Sequence, residues 1–155
     1  MLRHLADRIG ARLRAKSLSG RTVTVRVRFA DLRSVTRSVT LDAPISATAI
    51  LAEIAEELVR AALADHPDEK ILSLLAISVS HLEKGSELQL ELPLGLEGDE
   101  RRPGTRRGMA RWMADRAVDR IRDRFGWEAV GYGSVALGLA RSVPDAFREL
   151  AEKEL

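Results

Sequence analysis

Hydrophobic positions along this chain switch between two periods, and the switches mark its elements. Leu2, Leu5, Ile9 and Leu13 recur at helical spacing, with Arg3, Arg8, Arg12 and Arg14 off the stripe. This predicts an amphipathic helix closing near Ser17–Gly20. No capping sequence precedes it, so a start inside a longer helix is expected. From Thr22 to Phe29 the period becomes two: Val23, Val25, Val27 and Phe29 face one way, Thr24, Arg26 and Arg28 the other. After a short Ala-Asp-Leu-Arg connection the alternation resumes, with Val35, Val39 and Leu41 against Ser34, Thr36, Ser38 and Thr40. Two such runs so close together predict an antiparallel hairpin.

Helical spacing returns after Pro44. Ile50, Leu51, Ile54, Leu58 and Leu63 form the inward stripe of a helix ending near Asp65, and Ser46 is the expected cap. Ile71 to Leu82 is rich in β-formers and apolar, a third strand. The order helix, strand, strand, helix, strand predicts an α+β fold. It is ferredoxin-like, an antiparallel sheet with two helices on one face, lacking its first strand. Since that strand is interior in such a sheet, residues 129–137 or a strand exchanged from a second copy in a homodimer are expected to fill the gap. Residues 84–108 read as a flexible, Gly- and Arg-rich linker. Met109 to Phe125 then gives a helix whose expected buried stripe is Met113, Ala117 and Ile121, joined by Trp112, Val118 and Phe125. Pro144 opens a weak terminal helix over Asp145–Lys153. The chain thus divides into 1–83, a linker at 84–108 and a helical tail at 109–155.

Charge sharpens this outline. The net charge is only +2, but it is unevenly spread. Between Lys16 and Leu41 the basic residues Lys16, Arg21, Arg26, Arg28, Arg33 and Arg37 meet only Asp31. Between Glu53 and Glu69 six acids meet only Arg60. A folded domain would have a basic and an acidic side, and phosphate backbones favour the first. Aromatic residues are 4% of the chain, so the core must rest on Val, Leu, Ile and Ala. With no cysteine, disulfides and zinc–thiolate sites are excluded. No run has the length of a signal peptide core or a membrane span.

Signals for catalysis are poor. His4, His66 and His81 lack metal-ligand spacing, no acids pair on strand ends, and no Gly-rich phosphate loop or nucleophile elbow is present. The polar sheet face is the better candidate: its hydroxyls and guanidiniums are typical donors to phosphate oxygens. An ordinary solvent-facing sheet surface has the same composition.

The segment from Gly20 to Leu41, with its alternating basic strand, Phe29-Ala30-Asp31-Leu32 turn and Thr36-Arg37-Ser38 run, resembles the hairpin of a known domain. This is the little-finger domain of Y-family translesion DNA polymerases of the bacterial DNA polymerase IV type. Leu5 to Leu13 is similar to that domain's first helix and Ile71 to Leu82 to its last strand. The resemblance implies a non-sequence-specific grip on the primer-template DNA backbone through Thr24, Arg26, Arg28, Thr36, Arg37 and Ser38. Strict alternation puts Arg37 on the apolar side, so a bulge would have to turn it outward. The last strand departs from the family pattern, offering Ser73, Ser78 and Ser80 where arginines are common. Gln89-Leu90-Glu91-Leu92-Pro93-Leu94 is similar to the peptide by which such polymerases bind the β sliding clamp, with Gln89, Leu90, Leu92, Pro93 and Leu94 as the contacts. The same residues also alternate as a strand would. Asp115 to Gly126 is similar to a C-terminal helix of some relatives. Its arginines 116, 120, 122 and 124 could touch DNA, or could form a solvated face with Asp115, Asp119 and Asp123.

The resemblance implies a DNA- and clamp-binding module for translesion synthesis and DNA repair, cytoplasmic and not membrane-bound, working with the rest of a polymerase. The chain alone is not expected to be an enzyme or to need a cofactor, the Mg belonging to the catalytic part. The alternative is a protein-interaction adaptor from a catalytically inactive polymerase-like protein, binding the clamp but not DNA.

Overall fold

A computed structural model describes residues 1–69, 71–84 and 106–133, with side chains from residue 108 onward in the last stretch. The elements are α1 (Leu2–Ala15), β1 (Leu18–Phe29), β2 (Ser34–Ile45), α2 (Thr48–Ala64), β3 (Leu72–Lys84) and α3 (Arg106–Phe125), followed by a 3₁₀ turn at Trp127–Ala129. The class is α+β, as expected. The three strands form one antiparallel sheet in the order β2-β1-β3.

Alternation along β1 decides what the sheet buries. Val23, Val25, Val27 and Phe29 are fully buried, because α1 and α2 cover that face. Val23 packs with Ala6, Leu13, Ile50, Leu51 and Ile54. Val25, Val27 and Phe29 pack with Ala55, Val59 and Ala62. Each of the larger of these side chains contributes about 1.5–3 kcal/mol by leaving water. Gly10 lets α1 approach the start of α2: a Cβ there would stand 2.9 Å from Thr48 Oγ1 and 3.2 Å from the Ser46 carbonyl oxygen.

The hairpin loop closes by main-chain hydrogen bonds from Phe29 N to Arg33 O at 2.9 Å and from Leu32 N to Phe29 O at 3.2 Å. Leu32 occupies the left-handed region at φ 70°, where a branched residue costs about 1 kcal/mol or more. The Asp31 carboxylate helps hold that conformation by accepting from Arg33 N at 3.0 Å. At the other end of the hairpin the pairing jumps from Thr22–Thr40 to Gly20–Ile45. Arg21 bridges this bulge by donating to the carbonyl oxygens of Leu41 and Asp42.

Two expectations are corrected. The interior gap that residues 129–137 or a second copy were to fill does not exist, because β1 is central and hydrogen-bonds β2 and β3 directly. Trp127–Ala129 is a 3₁₀ turn and residues 130–133 join no strand, while 134–137 lie outside the described residues. Ala47, not Ser46, is the N-cap position of α2 and makes no side-chain cap. β3 runs to Lys84 and α3 begins at Arg106, and residues 85–105 of the stretch expected as linker lie outside the described residues. The terminal helix expected over Asp145–Lys153 lies outside the described residues.

α3 is the largest surprise. Met113, Ile121 and Phe125 are 59%, 40% and 66% exposed, whereas Asp115 and Arg122 are buried. The helix turns its charged face inward because the face of α1 it meets carries buried complementary charges. Arg122 forks onto Asp7 at 2.9 and 2.8 Å, and Arg14 onto Asp119 at 2.6 and 2.9 Å. Bidentate charge-assisted pairs of this kind are directional and strong. They outweigh a weak apolar stripe.

Candidate nucleic-acid interface

The polar face of the sheet is built on the central strand. Register pairs Thr24 with Ser38 and Arg26 with Thr36 across β1 and β2. All four side chains therefore share one face with Arg28, the one opposite the helices. Arg28 pairs with Ser34, and Thr22 with Thr40, extending the same surface. On the other side β3 supplies Ser80, Ser78, Ala76 and Leu74 opposite Thr22, Thr24, Arg26 and Arg28. Arg26 is exposed and Arg28 half-buried, the latter donating from Nε to Ser73 Oγ at 3.2 Å.

These paired positions include two guanidiniums and a field of hydroxyls, but no carboxylate. Four acids of α2 and its C-terminal turn are engaged in the opposite layer. Glu53 meets Arg111 at 2.6 and 3.0 Å, Glu56 meets Arg3, Asp65 meets Arg37 and Glu69 meets Arg33. The expected division into a basic and an acidic side holds only in part for this sheet: Arg26 and Arg28 stand on the face opposite the helices, while Arg33 and Arg37 pair with acids of the helix layer. The exposed face of the sheet can present positive charge and neutral donors together to an extended anion.

Of the six candidate contacts, five stand on this face and Arg37 does not. Arg37 pairs in register with Val25, on the helix side, and no bulge intervenes between Thr36 and Ser38 to turn it. Its Nη2 donates to Asp65 Oδ2 at 2.6 Å at the end of α2. The guanidinium holds the Asp65 carboxyl below its ordinary value, chiefly by that hydrogen bond. What sequence reading left out of the candidate set is the other end of the face. There Thr22 Oγ1 links Thr40 Oγ1 at 2.9 Å and His81 Nδ1 at 2.8 Å. His81 has φ 52°, a strand irregularity that alternation gave no means of locating.

The clamp-peptide candidates Gln89, Leu90, Leu92, Pro93 and Leu94 lie outside the described residues. Of the arginines of α3, Arg122 is buried on Asp7 and withdrawn from solvent, while Arg116, Arg120 and Arg124 are exposed. Among the described residues no three His, Asp or Glu side chains gather as metal ligands would. No helix there is long and apolar enough to cross a membrane.

Comparison with known proteins agrees with this geometry. Residues 1–92 match the C-terminal domain of the impB/mucB/samB family, a span that includes α1 through β3. A protein from Mesorhizobium japonicum, DNA polymerase IV 2, is 72% identical over 99% of this chain, which spans 37% of that relative. DNA polymerase IV of Desulfatibacillum aliphaticivorans is 29% identical over 88% of this chain, covering 32% of its own length. The chain therefore spans about a third of the length of these curated relatives. With the helix-backed antiparallel sheet, the hairpin and the family match in agreement, the chain belongs to the impB/mucB/samB family and carries its C-terminal domain, that of a Y-family DNA polymerase.

Proposed function

We propose that this domain serves a translesion DNA polymerase by holding the backbone of primer-template DNA on the exposed face of its sheet. Phosphate oxygens would meet Arg26 and Arg28, with Thr24, Thr36 and Ser38 donating hydroxyl hydrogen bonds beside them. One observation carries the reading: these five residues occupy adjacent register positions on one face, and no carboxylate stands among the positions paired there. Such contacts fix position without reading base sequence. Nucleotidyl transfer and its Mg would belong to the remainder of a polymerase like the relatives, of which this chain matches about a third. Residues 89–94 would recruit the β sliding clamp through the Gln89 amide and the apolar Leu92 and Leu94 side chains.

Fluorescence anisotropy with labelled primer-template DNA tests the sheet face. Arg26→Glu with Arg28→Glu is expected to abolish binding. Replacing the pair by alanine should reduce the slope of log affinity against log salt by about 2. Unchanged affinity in both variants sinks the assignment. For the clamp, Gln89→Ala with Leu92→Ala is expected to remove clamp binding in a pull-down, and retention would count against that peptide.

A second reading has its own support. β3 offers Leu74, Ala76, Ser78 and Ser80 to the face and no cation, which suits an adaptor that binds the clamp but has lost its grip on DNA. Negligible primer-template affinity in the unmodified chain, with clamp binding intact, would favour it.

A further inference from the structure

We propose that His81 is a further phosphate contact of the sheet face, offering its Nε2–H to DNA from β3, whose register positions there carry no cation. The inference rests on the sheet-face reading above and extends that face at the Thr22 end of β1. Register sets Ala76, Ser78 and Ser80 of β3 opposite Arg26, Thr24 and Thr22, on the polar side. Strict alternation would then turn His81 toward the helices, with Ile77 and Val79, which pack against the core. His81 instead has φ 52°, and its Nδ1 lies 2.8 Å from Thr22 Oγ1. Pairing continues on either side of it, Thr22 with Ser80 and Gly20 with Leu82. The irregularity therefore re-aims one side chain without ending the strand.

Nothing local demands that turn. A residue other than glycine in the left-handed region is held there at a cost in free energy. Thr22 Oγ1 already has a partner in Thr40 Oγ1 at 2.9 Å, so the bond to His81 is not needed to satisfy it. What the turn supplies is an imidazole at the surface. His81 is exposed, and among the described residues its Nε2 has no hydrogen-bond partner. The next acid along the strand, Glu83, is paired with Arg21 at 3.8 Å.

The two hydroxyls suit the ring to a phosphate. A phosphodiester only accepts, so it selects the neutral imidazole with hydrogen on Nε2. Thr40 then donates to Thr22, and Thr22 to Nδ1, roles that both contacts permit. Each polar atom of the chain is thereby used, and the ring is fixed in orientation. Thr22 is four residues from Arg26, about 13 Å along an extended strand. Arg28, Arg26, Thr24 and His81 thus form one line of donors along the central strand, long enough for successive phosphates of a nucleic-acid backbone.

The experiment joins anisotropy of labelled primer-template DNA with the full chain to NMR of the imidazole nitrogens. His81→Leu is expected to lower affinity about five- to tenfold, the loss of one hydrogen bond to an anion. The slope of log affinity against log salt should not change, because a neutral donor displaces no counterion. His81→Gln keeps an N–H donor and should restore most of the binding, and Thr22→Val, which unties Nδ1, should fall between. Circular dichroism checks that every variant is folded. In the unmodified chain, saturating DNA should shift the His81 signals and show the proton on Nε2. The signals of His4 on α1 and His66 at the end of α2 should stay in place. The proposal is overturned by unmoved His81 signals, by a proton on Nδ1 alone, or by a salt slope reduced by about 1 in His81→Leu. Failure of His81→Gln to rescue, or no primer-template binding by the unmodified chain, overturns it equally. If Arg26→Glu with Arg28→Glu loses binding while His81→Leu keeps it, this contact falls and the sheet face stands. If both bind as the parent does, the sheet face falls as well.

Discussion

Asp7 and Arg122, 115 positions apart in the chain, face each other as a bidentate ion pair at 2.9 and 2.8 Å. Both side chains are buried, at 0% and 6% exposure. A pair so placed contributes less by its attraction than its loss would cost, because the survivor is left charged in a low dielectric. Asp7→Ala is therefore expected to destabilise the domain by about 3–5 kcal/mol. Asp7→Leu with Arg122→Met, which removes both charges, should recover most of that. Urea unfolding of the two variants checks the difference, and equal losses would show that the pair does not act as a unit.

Asp115 caps a helix it is far from in sequence. Its Oδ2 accepts from the Thr48 main-chain amide at 2.7 Å, at the start of α2, where the adjacent Ala47 has no side-chain acceptor. A carboxylate there satisfies an orphan donor and meets the positive end of the helix dipole. The same carboxylate binds Arg14 and accepts from the Tyr132 hydroxyl. Asp115→Ala should exceed the usual cap loss of about 0.5–2 kcal/mol, because Arg14 also loses a partner. Asp115→Asn keeps an acceptor for Thr48 and should fall between. Chemical denaturation of both gives the ranking, and an alanine variant as stable as the parent would remove Asp115 from the cap.

Tyr132, the single tyrosine of the chain, reports on this contact. Burial, and then the hydrogen bond to Asp115, push its hydroxyl well above the ordinary tyrosine value. A folded-state pKa above that of the unfolded chain means that the stabilisation is complete below about pH 10. It is lost as pH rises from there toward the folded value. Phenolate absorbance in the folded protein is expected to lag behind that of the urea-unfolded chain, and Asp115→Ala should narrow the gap. Coincident titrations would show that Tyr132 is not held there.

Arg37 separates the hairpin's fold from its surface chemistry. Arg37→Ala is expected to leave primer-template affinity within about twofold, since its side chain stands on the helix side of the sheet. It should also return the Asp65 carboxyl toward its ordinary value, removing the lowering that Arg37 imposes. Because a depressed carboxyl stabilises above its unfolded pKa and loses that stabilisation as pH falls through the folded value, the effect belongs to the acid side. Carboxyl titration by NMR and DNA titration by anisotropy check the two halves. A large affinity loss would mean that Arg37 reaches DNA after all.

The chain's own pattern determined the elements and the two faces of the sheet. Period two in β1 already separated Val23, Val25, Val27 and Phe29 from Thr24, Arg26 and Arg28, because side-chain direction alternates with backbone geometry alone. The family hairpin was legible for the same reason. What tertiary structure decided were relations between distant segments. Strand order could not be read, since either neighbour satisfies β1 equally by pattern. The inward face of α3 could not be read either. Its apolar stripe pointed one way, but Asp7, Arg14 and the bare start of α2 offered buried charge and an orphan amide to the other face. Satisfying those groups matters more than burying Met113 and Ile121, since unpaired buried charge costs more than an exposed methylene chain. Periodicity records which residues share a face of a helix, whereas the partner that face meets is settled only when the chain is packed.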